Sequence, residues 1–290
     1  MDRKTVGCCV ISLLILAACG GSKRIVVGSK NFTEQVILGE IVAQHLERRL
    51  GERAERRLNL GGTLLAHQAL LSGQIDVYPE YSGTALTAIL HRDAPADAGA
   101  VYQIVGTAYR KLGLEWLAPL GFNNSFAMVI SGELSRRQNL STLSEAARWQ
   151  HAWSLGVGYE FEGRPDGLPA LLRTYKLQVS GPPHSMDLGL LYQALARGQV
   201  DMIAANSTDG LLSKMDTAVL ADDRGAFPPY EAGLVVRSAT LARVPKVREA
   251  LAELSGKIPT GVMQRLNYRV DVDHEAVGAV AADFLREAGL

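Results

Sequence analysis

The sequence has few of the residues that mark disulfide-rich or nucleic-acid-binding proteins. It contains only three cysteines in 290 residues, and 30 acidic side chains balance its 30 basic ones, so its formal net charge is zero. Because a protein that neutralises nucleic-acid phosphates needs an excess of lysine and arginine, this balance argues against a nucleic-acid partner. The composition, 47% hydrophobic and 21% charged, is typical of a globular protein with one or two domains.

All three cysteines lie in the first 19 residues, which differ in composition from the rest of the chain. A short basic start precedes an apolar run over residues 10–18 that is too short to span a bilayer and is typical of a signal peptide. The run ends in LAAC, which resembles a bacterial lipoprotein box with Cys19 as the lipidated residue. We therefore expect residues 1–18 to be a signal peptide and residues 19–23 to be a flexible tether. An ordinary secretory peptide with a coincidental cysteine is the alternative.

Cleavage before Cys19 would leave a mature chain without a free thiol, since lipidation would use the remaining one. An oxidising compartment would then have no effect on the protein. Two or three acyl chains, at about 0.8 kcal/mol per buried CH₂, would hold it at a membrane surface. We expect an exported lipoprotein, periplasmic or at the cell surface, that contacts the membrane only through its anchor.

Nearly the same nine-residue phrase occurs twice, as QALLSGQID at 68–76 and QALARGQVD at 193–201. In each copy an apolar helix is predicted to end at a glycine, Gly73 or Gly198, before a short strand begins. The preceding segments, RAERRLNL and YKLQVSG, are each predicted to be strands. The order strand, helix, strand predicts a βαβ crossover in each half and parallel sheets covered by helices.

Ligand-binding positions are expected where the predicted strands end, because open α/β sheets bind ligands at the carboxyl ends of their strands. The two repeats continue into YPEYSGT at 78–84 and NSTDG at 206–210, which we interpret as two walls of a shared site. Near the start of the chain, Asn31 and Glu34 are predicted to form a capping box for the helix that follows the strand RIVVGS. Lys30 would then lie at the positive end of that helix, either as an anion contact or as an exposed lysine on a turn.

Several segments resemble, in this order along the chain, the substrate-binding proteins of ABC importers for quaternary amines such as glycine betaine, choline and carnitine. They are VVGSKNFTEQVILGEIVAQ, GQIDVYPEYSGT, GFNNSFAM, EFEGRPDGL, NSTDG and FPPYEAGLVV. The resemblance implies an α/β periplasmic-binding-protein fold of type II, in which two lobes, each a mixed, mostly parallel sheet flanked by helices, are joined by two hinge crossings. Lobe one would comprise residues 24–125 plus 231–290, and lobe two residues 126–230.

The resemblance also implies which residues would hold the carboxylate of a zwitterion. Lys30 in GSKNF, Thr84 in EYSGT and Arg164 in EFEGRPDG match the family's carboxylate contacts. Charged donors suit this role because hydrogen bonds to ionised groups contribute about 1.5–3 kcal/mol. An ion pair with Asp166 is the alternative role for Arg164.

The residues that would hold the cationic group of the ligand depart from the family pattern at two positions. Family members hold trimethylammonium in a cage of aromatic rings, because a quaternary nitrogen has no hydrogen to donate and aromatic faces attract it. Tyr81 and Tyr230 match two cage tyrosines, and Phe126 replaces a third and keeps the ring. Asn206 stands where a fourth tyrosine is common. Either the cage is open on one side and binds betaines more weakly, or the ligand is a different zwitterion whose polar part meets Asn206, such as carnitine, ergothioneine or a cationic amino acid.

The remaining candidates are less specific. Asn124 and Asp209 lie in matching motifs and are either pocket residues or turn and cap residues, while Glu80 and Asp76 are predicted to be structural. The histidines show no metal-ligand spacing, and the glycines form no nucleotide-binding motif. We therefore expect no metal, no cofactor and no enzymatic activity.

The predicted function is a monomeric solute-binding lipoprotein that captures a betaine-type zwitterion between its lobes. It would deliver this ligand to an ABC permease and its ATPase. The alternatives are a receptor for another zwitterion and a sensor module that reports the ligand instead of importing it.

Overall fold

The computed structural model describes residues 24–290, so the predicted signal peptide, Cys19 and tether lie outside the described residues. Within the described part, the strands form two sheets of five strands each. No helix in this part is both long enough and apolar enough to cross a bilayer.

The first sheet combines strands from the two ends of the chain. It is formed by β1 (Val26–Gly28), β2 (Glu55–Arg57), β3 (Val77–Tyr81), β4 (Leu114–Trp116) and β10 (Ala232–Arg237), in the spatial order β2-β1-β3-β10-β4. Strand β1 pairs in parallel with β2 and β3, whereas β10 pairs antiparallel with β3 and β4.

Helices cover both faces of this sheet. They are α1 (Thr33–Leu50), α2 (Thr63–Leu71), α3 (Ser82–Thr84) with a π-helical turn (Ala85–Ile89), α4 (Ala98–Lys111), α10 (Ser238–Arg243), α11 (Lys246–Ala252), α12 (Thr260–Asp271) and α13 (Val277–Glu287). Because side chains alternate along a strand, Val27 and Val236 pack against α1 and the C-terminal helices, while Val26 and Val235 pack against α2 and α4. The central strands β1, β3 and β10 are therefore buried on both faces, whereas the edge strand β2 is exposed.

The second sheet is built from the middle of the chain. It is formed by β5 (Phe126–Ser131), β6 (Leu155–Val157), β7 (His184–Ser185), β8 (Met202–Asn206) and β9 (Thr217–Leu220), in the order β7-β6-β8-β5-β9. Strand β6 pairs in parallel with β7 and β8, and β5 pairs antiparallel with β8 and β9. The mixed sheets agree with the prediction, although parallel pairs make up two of the four pairings in each sheet and not most of them.

The helices of the second sheet also lie on both of its faces. They are α5 (Gly132–Gln138), α6 (Leu143–Arg148), α7 (Tyr159–Gly163), α8 (Leu168–Tyr175) and α9 (Leu188–Ala196), with a 3₁₀ turn (Gly210–Ser213) after β8. Met202 and Ala204 pack towards α6 and α8, and Ile203 and Ala205 pack towards α9. The alternation along β8 repeats the pattern of the first sheet.

The predicted helix–glycine–strand unit is confirmed in both copies of the repeat. Helix α2 ends two residues before Gly73, whose φ of 74° is left-handed, and β3 follows. Helix α9 ends two residues before Gly198, with a φ of 65°, and β8 follows. Left-handed backbone is nearly free of steric cost for glycine, which explains why both copies keep it.

The predicted strand YKLQVSG is wrong. Tyr175 is the last residue of α8, and Lys176 ends that helix with a left-handed φ of 54°. A single bridge joins Val179 to Trp153, and the strand that pairs with the outer side of β6 is the two-residue strand β7, which follows Pro182 and Pro183. Proline has no backbone N–H to donate, so the ladder forms after the proline pair.

The chain passes between the two sheets twice, once before β5 and once before β10. These two crossings lie side by side. The backbone N–H of Asn124 donates to the backbone carbonyl of Tyr230 at 3.0 Å, and Asn123 forms an antiparallel bridge with Glu231. Each crossing leads directly into a strand that pairs with a repeat strand, β5 with β8 and β10 with β3. Two crossings between the sheets are therefore present, as predicted, and their role as hinges stays a prediction.

Candidate ligand-binding site

A cleft of about 370 Å³ is lined by residues of both sheets and of the crossings. Its volume is in the range of small-molecule sites. Eight of the nine predicted pocket residues line it, namely Lys30, Tyr81, Thr84, Asn124, Phe126, Arg164, Asn206 and Tyr230. Asp209 instead lines a neighbouring cavity. The roles of these residues towards a ligand stay predictions.

The strand ends bring the divergent tails of the two repeats to the cleft. Tyr81 is the last residue of β3, and Asn206 is the last residue of β8. Phe126, the first residue of β5, lies directly opposite Asn206 in the antiparallel register. Tyr230 lies in the second crossing, just before β10. The four predicted cage residues thus come from three strand ends and one crossing.

Phe126 is the centre of an aromatic cluster of which Phe161 and Tyr230 also line the cleft, whereas Phe227 does not. Its ring meets Phe161, Phe227 and Tyr230 nearly edge to face, with centroid separations of 4.8, 5.6 and 5.5 Å. Such contacts fix ring orientations beyond what burial alone provides. Phe161 and Phe227 were not among the predicted site residues, although they lie in the EFEGRPDG and FPPYEAG segments. Their aromatic character in those segments was the available signal.

Arg164 forms the ion pair that is its alternative role, and it also lines the cleft. Its guanidinium makes a bidentate pair with Asp166, at 3.0 and 2.6 Å, and the Tyr230 hydroxyl donates to the same carboxylate at 2.7 Å. Burial alone would raise the pKa of Asp166, but the hydrogen bonds and charge of Arg164 outweigh it and hold this pKa below its usual value. The same guanidinium lies 5.2 Å from the Phe126 ring centroid and 5.7 Å from that of Tyr230. The ion pair therefore fixes a cation against two of the predicted cage rings.

Lys30 is a buried lysine, not an exposed one, with 2% of its surface accessible. Its ammonium donates to Glu80 at 2.6 Å and to Thr63 at 3.2 Å, and it lies 4.9 Å from the Tyr81 ring centroid. Glu80 is fully buried and also accepts from the Tyr78 hydroxyl. An ammonium has three N–H donors, and these two hydrogen bonds use two of them.

Glu160 is a residue of the cleft that the sequence did not reveal. Its carboxylate accepts hydrogen bonds from the backbone amide and, at 3.0 Å, from the hydroxyl of Thr63, which begins α2 on the opposite side of the cleft. Burial raises its pKa, but the charge of Lys30 and the bonds from Thr63 hold the pKa of Glu160 below its usual value. This charged contact joins the two halves of the molecule.

The carboxylate of Glu34 also joins the two halves of the molecule. It is buried, and its two oxygens accept four hydrogen bonds, from Tyr81 (2.6 Å), Asn124 (2.8 Å), Thr208 (2.5 Å) and Asn267 (3.0 Å). Burial raises the pKa of Glu34, although the four donors oppose that rise. One carboxylate thereby links a predicted cage tyrosine to the first crossing and to the segment after β8.

The predicted capping box of Asn31 and Glu34 is wrong. Helix α1 begins at Thr33, its N-cap residue is Phe32, and no side chain caps it. The carboxylate of Glu34 is engaged by donors from distant parts of the chain, which satisfy it better than one backbone amide would. Sequence spacing within one turn cannot reveal such partners.

Known proteins of similar sequence include a glycine-betaine-binding protein and an ergothioneine binding protein. A glycine-betaine-binding protein of Pseudomonas aeruginosa is 35% identical over 292 residues, which cover 97% of this chain and 93% of that protein. The ergothioneine transport permease/ergothioneine binding protein EgtU of Helicobacter pylori is 33% identical over 270 residues, which cover 92% of this chain. This chain spans only 48% of the length of that relative.

The fold and the family agree with these relatives. The crystal structure of a glycine betaine/carnitine/choline ABC transporter protein matches with a TM-score of 0.76 and 28% identity, over 91% of this chain and 98% of the other. The predicted periplasmic-binding-protein fold is therefore confirmed. A family model, the substrate binding domain of the ABC-type glycine betaine transport system, matches residues 23–287. The chain belongs to this family of substrate-binding domains of ABC-type glycine betaine transport systems.

Proposed function

We propose that this protein is the extracytoplasmic solute receptor of an ABC importer and that its cleft binds a betaine-type zwitterion. The observation that carries the proposal is that two cationic side chains of the cleft each lie against an aromatic ring of the cleft. The Arg164 guanidinium is 5.2 Å from the ring centroid of Phe126, and the Lys30 ammonium is 4.9 Å from that of Tyr81. A ligand that uses both kinds of group must carry its anion and its cation only a few ångströms apart, as betaines do.

Asn206 favours betaines larger than glycine betaine. Its amide has no aromatic face, so the wall that it forms contributes no cation–π attraction. The names of the two relatives above include glycine betaine and ergothioneine, which differ in the group attached to the betaine carbon. Glycine betaine, carnitine and ergothioneine are thus the first ligands to measure, and a cationic amino acid is the alternative.

The lobes in this proposal are residues 24–125 plus 231–290 and residues 126–230. The hydrogen bonds of Thr63 to Glu160 and of Thr208 to Glu34 span the cleft on two sides. Closure around a ligand would form both contacts, and opening would break them. The closed form would be the one that the permease accepts.

The lipid anchor is the part of the proposal that rests on sequence alone. If Cys19 carries the lipid, Cys19→Ala should move the protein from the membrane fraction to the soluble extracytoplasmic fraction, because the acyl chains supply the membrane affinity. Immunoblots of fractionated cells measure this, with Cys8→Ala as the matched control that stays at the membrane. A Cys19→Ala protein that is membrane-bound and of mature size, with its signal peptide removed, would show that the anchor is not a lipid on this cysteine.

Arg164→Ala tests the ligand class. Removing charged hydrogen bonds worth about 1.5–3 kcal/mol should weaken glycine betaine binding about 10- to 100-fold. Choline has no carboxylate, so its affinity should fall much less. Calorimetry with both ligands measures the difference. The proposal predicts that the wild-type preference for the carboxylated ligand largely disappears in the variant.

Arg136→Ala is the matched control, because Arg136 forms a surface ion pair with Asp216 in which both side chains are more than 60% exposed. It should leave both affinities unchanged. Equal losses for glycine betaine and choline in Arg164→Ala would mean that Arg164 orders the cleft without binding the carboxylate. If the wild-type protein binds no betaine, carnitine or choline, the proposed function is wrong.

A further inference from the structure

The carboxylate of Glu160 lies between the two cations that are predicted to hold the carboxylate of a ligand. Its Oε2 atom accepts from the Thr63 hydroxyl at 3.0 Å and lies 3.5 Å from Nη1 of Arg164. The same Thr63 hydroxyl accepts from the Lys30 ammonium at 3.2 Å. All three charged residues line the cleft, and Asp187, an exposed residue before α9, is the remaining charged lining residue of the described chain. The protein therefore places a carboxylate of its own beside both cations.

Each of the two cations already has an acidic partner apart from Glu160. The Lys30 ammonium pairs with Glu80 at 2.6 Å, and the Arg164 guanidinium pairs with Asp166 at 2.6 Å. Three carboxylates thus surround two cations, and the carboxylate of a ligand would be a fourth. Because like charges at such short range repel each other, a carboxylated ligand binds well only if one of the three carboxylates moves away.

Glu160 is the carboxylate that can move away. Its side chain is 41% exposed, whereas those of Glu80 and Asp166 are 0% and 5% exposed. Glu80 also accepts from the Tyr78 hydroxyl, and Asp166 also accepts from the Tyr230 hydroxyl. Moving either of these two would leave a buried cation without its partner, which is strongly destabilising. A half-exposed carboxylate can instead turn towards water.

The backbone at the start of α2 leaves room for the carboxylate of Glu160. A β-carbon at position 62, where the chain has Gly62, would come within 2.5 Å of Oε1 of Glu160. The backbone N–H of Thr63 donates to the same oxygen. Any side chain at position 62 would therefore displace the carboxylate from its place beside the cations. This close approach does not depend on the charges, and it indicates the same position for Glu160.

We propose that Glu160 is a specificity residue, which competes with the carboxylate of a zwitterion and supplies the counter-charge for a cationic ligand without a carboxylate. This role rests on the proposed function, because the quaternary ammonium group must occupy the cleft in both cases. With glycine betaine, the ligand carboxylate takes the place beside Lys30 and Arg164, and Glu160 turns towards water. With choline, Glu160 keeps its place and balances the charge of the ligand. Its charge thereby weakens the preference for the carboxylated ligand.

Glu160→Gln tests the role of this charge, because a glutamine can still accept a hydrogen bond from Thr63. Calorimetry should show that the affinity for glycine betaine, divided by that for choline, rises about 5- to 10-fold in the variant. Arg164→Ala should move the same ratio in the opposite direction. Glu162→Gln is the matched control and should leave the ratio unchanged. Glu162 is exposed on the same helix, accepts from the Ser185 hydroxyl and is not among the residues that line the cleft.

Gly62→Ala is a second variant, which moves the carboxylate but keeps its charge. It should displace Glu160 from the two cations and raise the same ratio by a smaller factor. If neither variant raises the ratio, for example because both ligands lose affinity equally, Glu160 serves only the contact with Thr63, and the inference is overturned while the proposed function stands. A wild-type protein that binds glycine betaine but not choline would also overturn it. If the wild type binds no betaine, carnitine or choline, both are overturned.

Discussion

The two repeat units have the same backbone but different surroundings. In the first, the Asp76 carboxylate accepts from the Val26 amide at 2.9 Å, and the Asp76 amide donates to the Val26 carbonyl at 2.7 Å. In the second, Asp201 makes the same pair of bonds with Ser154, at 3.0 and 2.9 Å. Each aspartate thus ties the start of the strand after the repeat, β3 or β8, to the start of its parallel neighbour, β1 or β6, which explains why the phrase Q-[IV]-D occurs in both halves.

The two units differ in how deeply this aspartate is buried and in the other side chains that it contacts. The Asp76 side chain is 3% exposed and also contacts Thr240 and Arg243, while the Asp201 side chain is 39% exposed and contacts His151. At the cleft, the first strand ends in Tyr81, which is buried and bonded to Glu34. The second strand ends in Asn206, whose side chain faces two cavities. The comparison indicates that the repeat fixes the strand, while the last strand residue at the cleft differs between the two units.

The largest expected difference between the two units is in stability. Asp76→Ala would leave the Val26 amide and the Thr240 hydroxyl without their acceptor in a buried place, so we expect a loss of about 3 kcal/mol or more in the free energy of unfolding. Asp201→Ala should cost about 1 kcal/mol, because water can replace a carboxylate that is 39% exposed. Urea denaturation of both variants measures the two losses.

Thr217→Ala on the edge strand β9 provides a reference variant for that comparison, since it lies outside both units. If Asp76→Ala and Asp201→Ala are destabilised equally, burial is not what distinguishes the two units. A larger loss for Asp201→Ala would reverse the comparison and identify the second unit as the more important for folding.

Much of the fold could be predicted because its determinants are local. The helix α1, the left-handed glycines at 73 and 198, and the strands that follow them are specified by periodicity and by backbone chemistry within a few residues. Local patterns were less successful where a neighbour decides the outcome. The segment YKLQVSG has strand-like composition, but Lys176 ends α8, and the proline pair shifts the ladder to His184.

The candidate site also has residues that could be predicted from the sequence and residues that could not. The predicted pocket residues lie in motifs at strand ends, so their common position could be expected, and all but Asp209 line the cleft. Glu34 and Glu160 were not expected, because their partners are distant in sequence, 174 residues away for Thr208 and 97 for Thr63. Nothing in the local sequence of a glutamate shows which remote donors will bury it.

A smaller but more specific effect, on ligand affinity, is expected when the last residue of β8 is changed to a tyrosine like the one that ends β3. Asn206→Tyr adds a ring opposite Phe126, and one cation–π contact of about 0.5–2 kcal/mol should strengthen glycine betaine binding about 2- to 30-fold in calorimetry. Asn206→Leu is the matched control, because it removes the amide without adding an aromatic face. If leucine raises the affinity as much as tyrosine does, apolar burial and not the ring's quadrupole closes the cage. If tyrosine changes nothing, Asn206 does not face the head group.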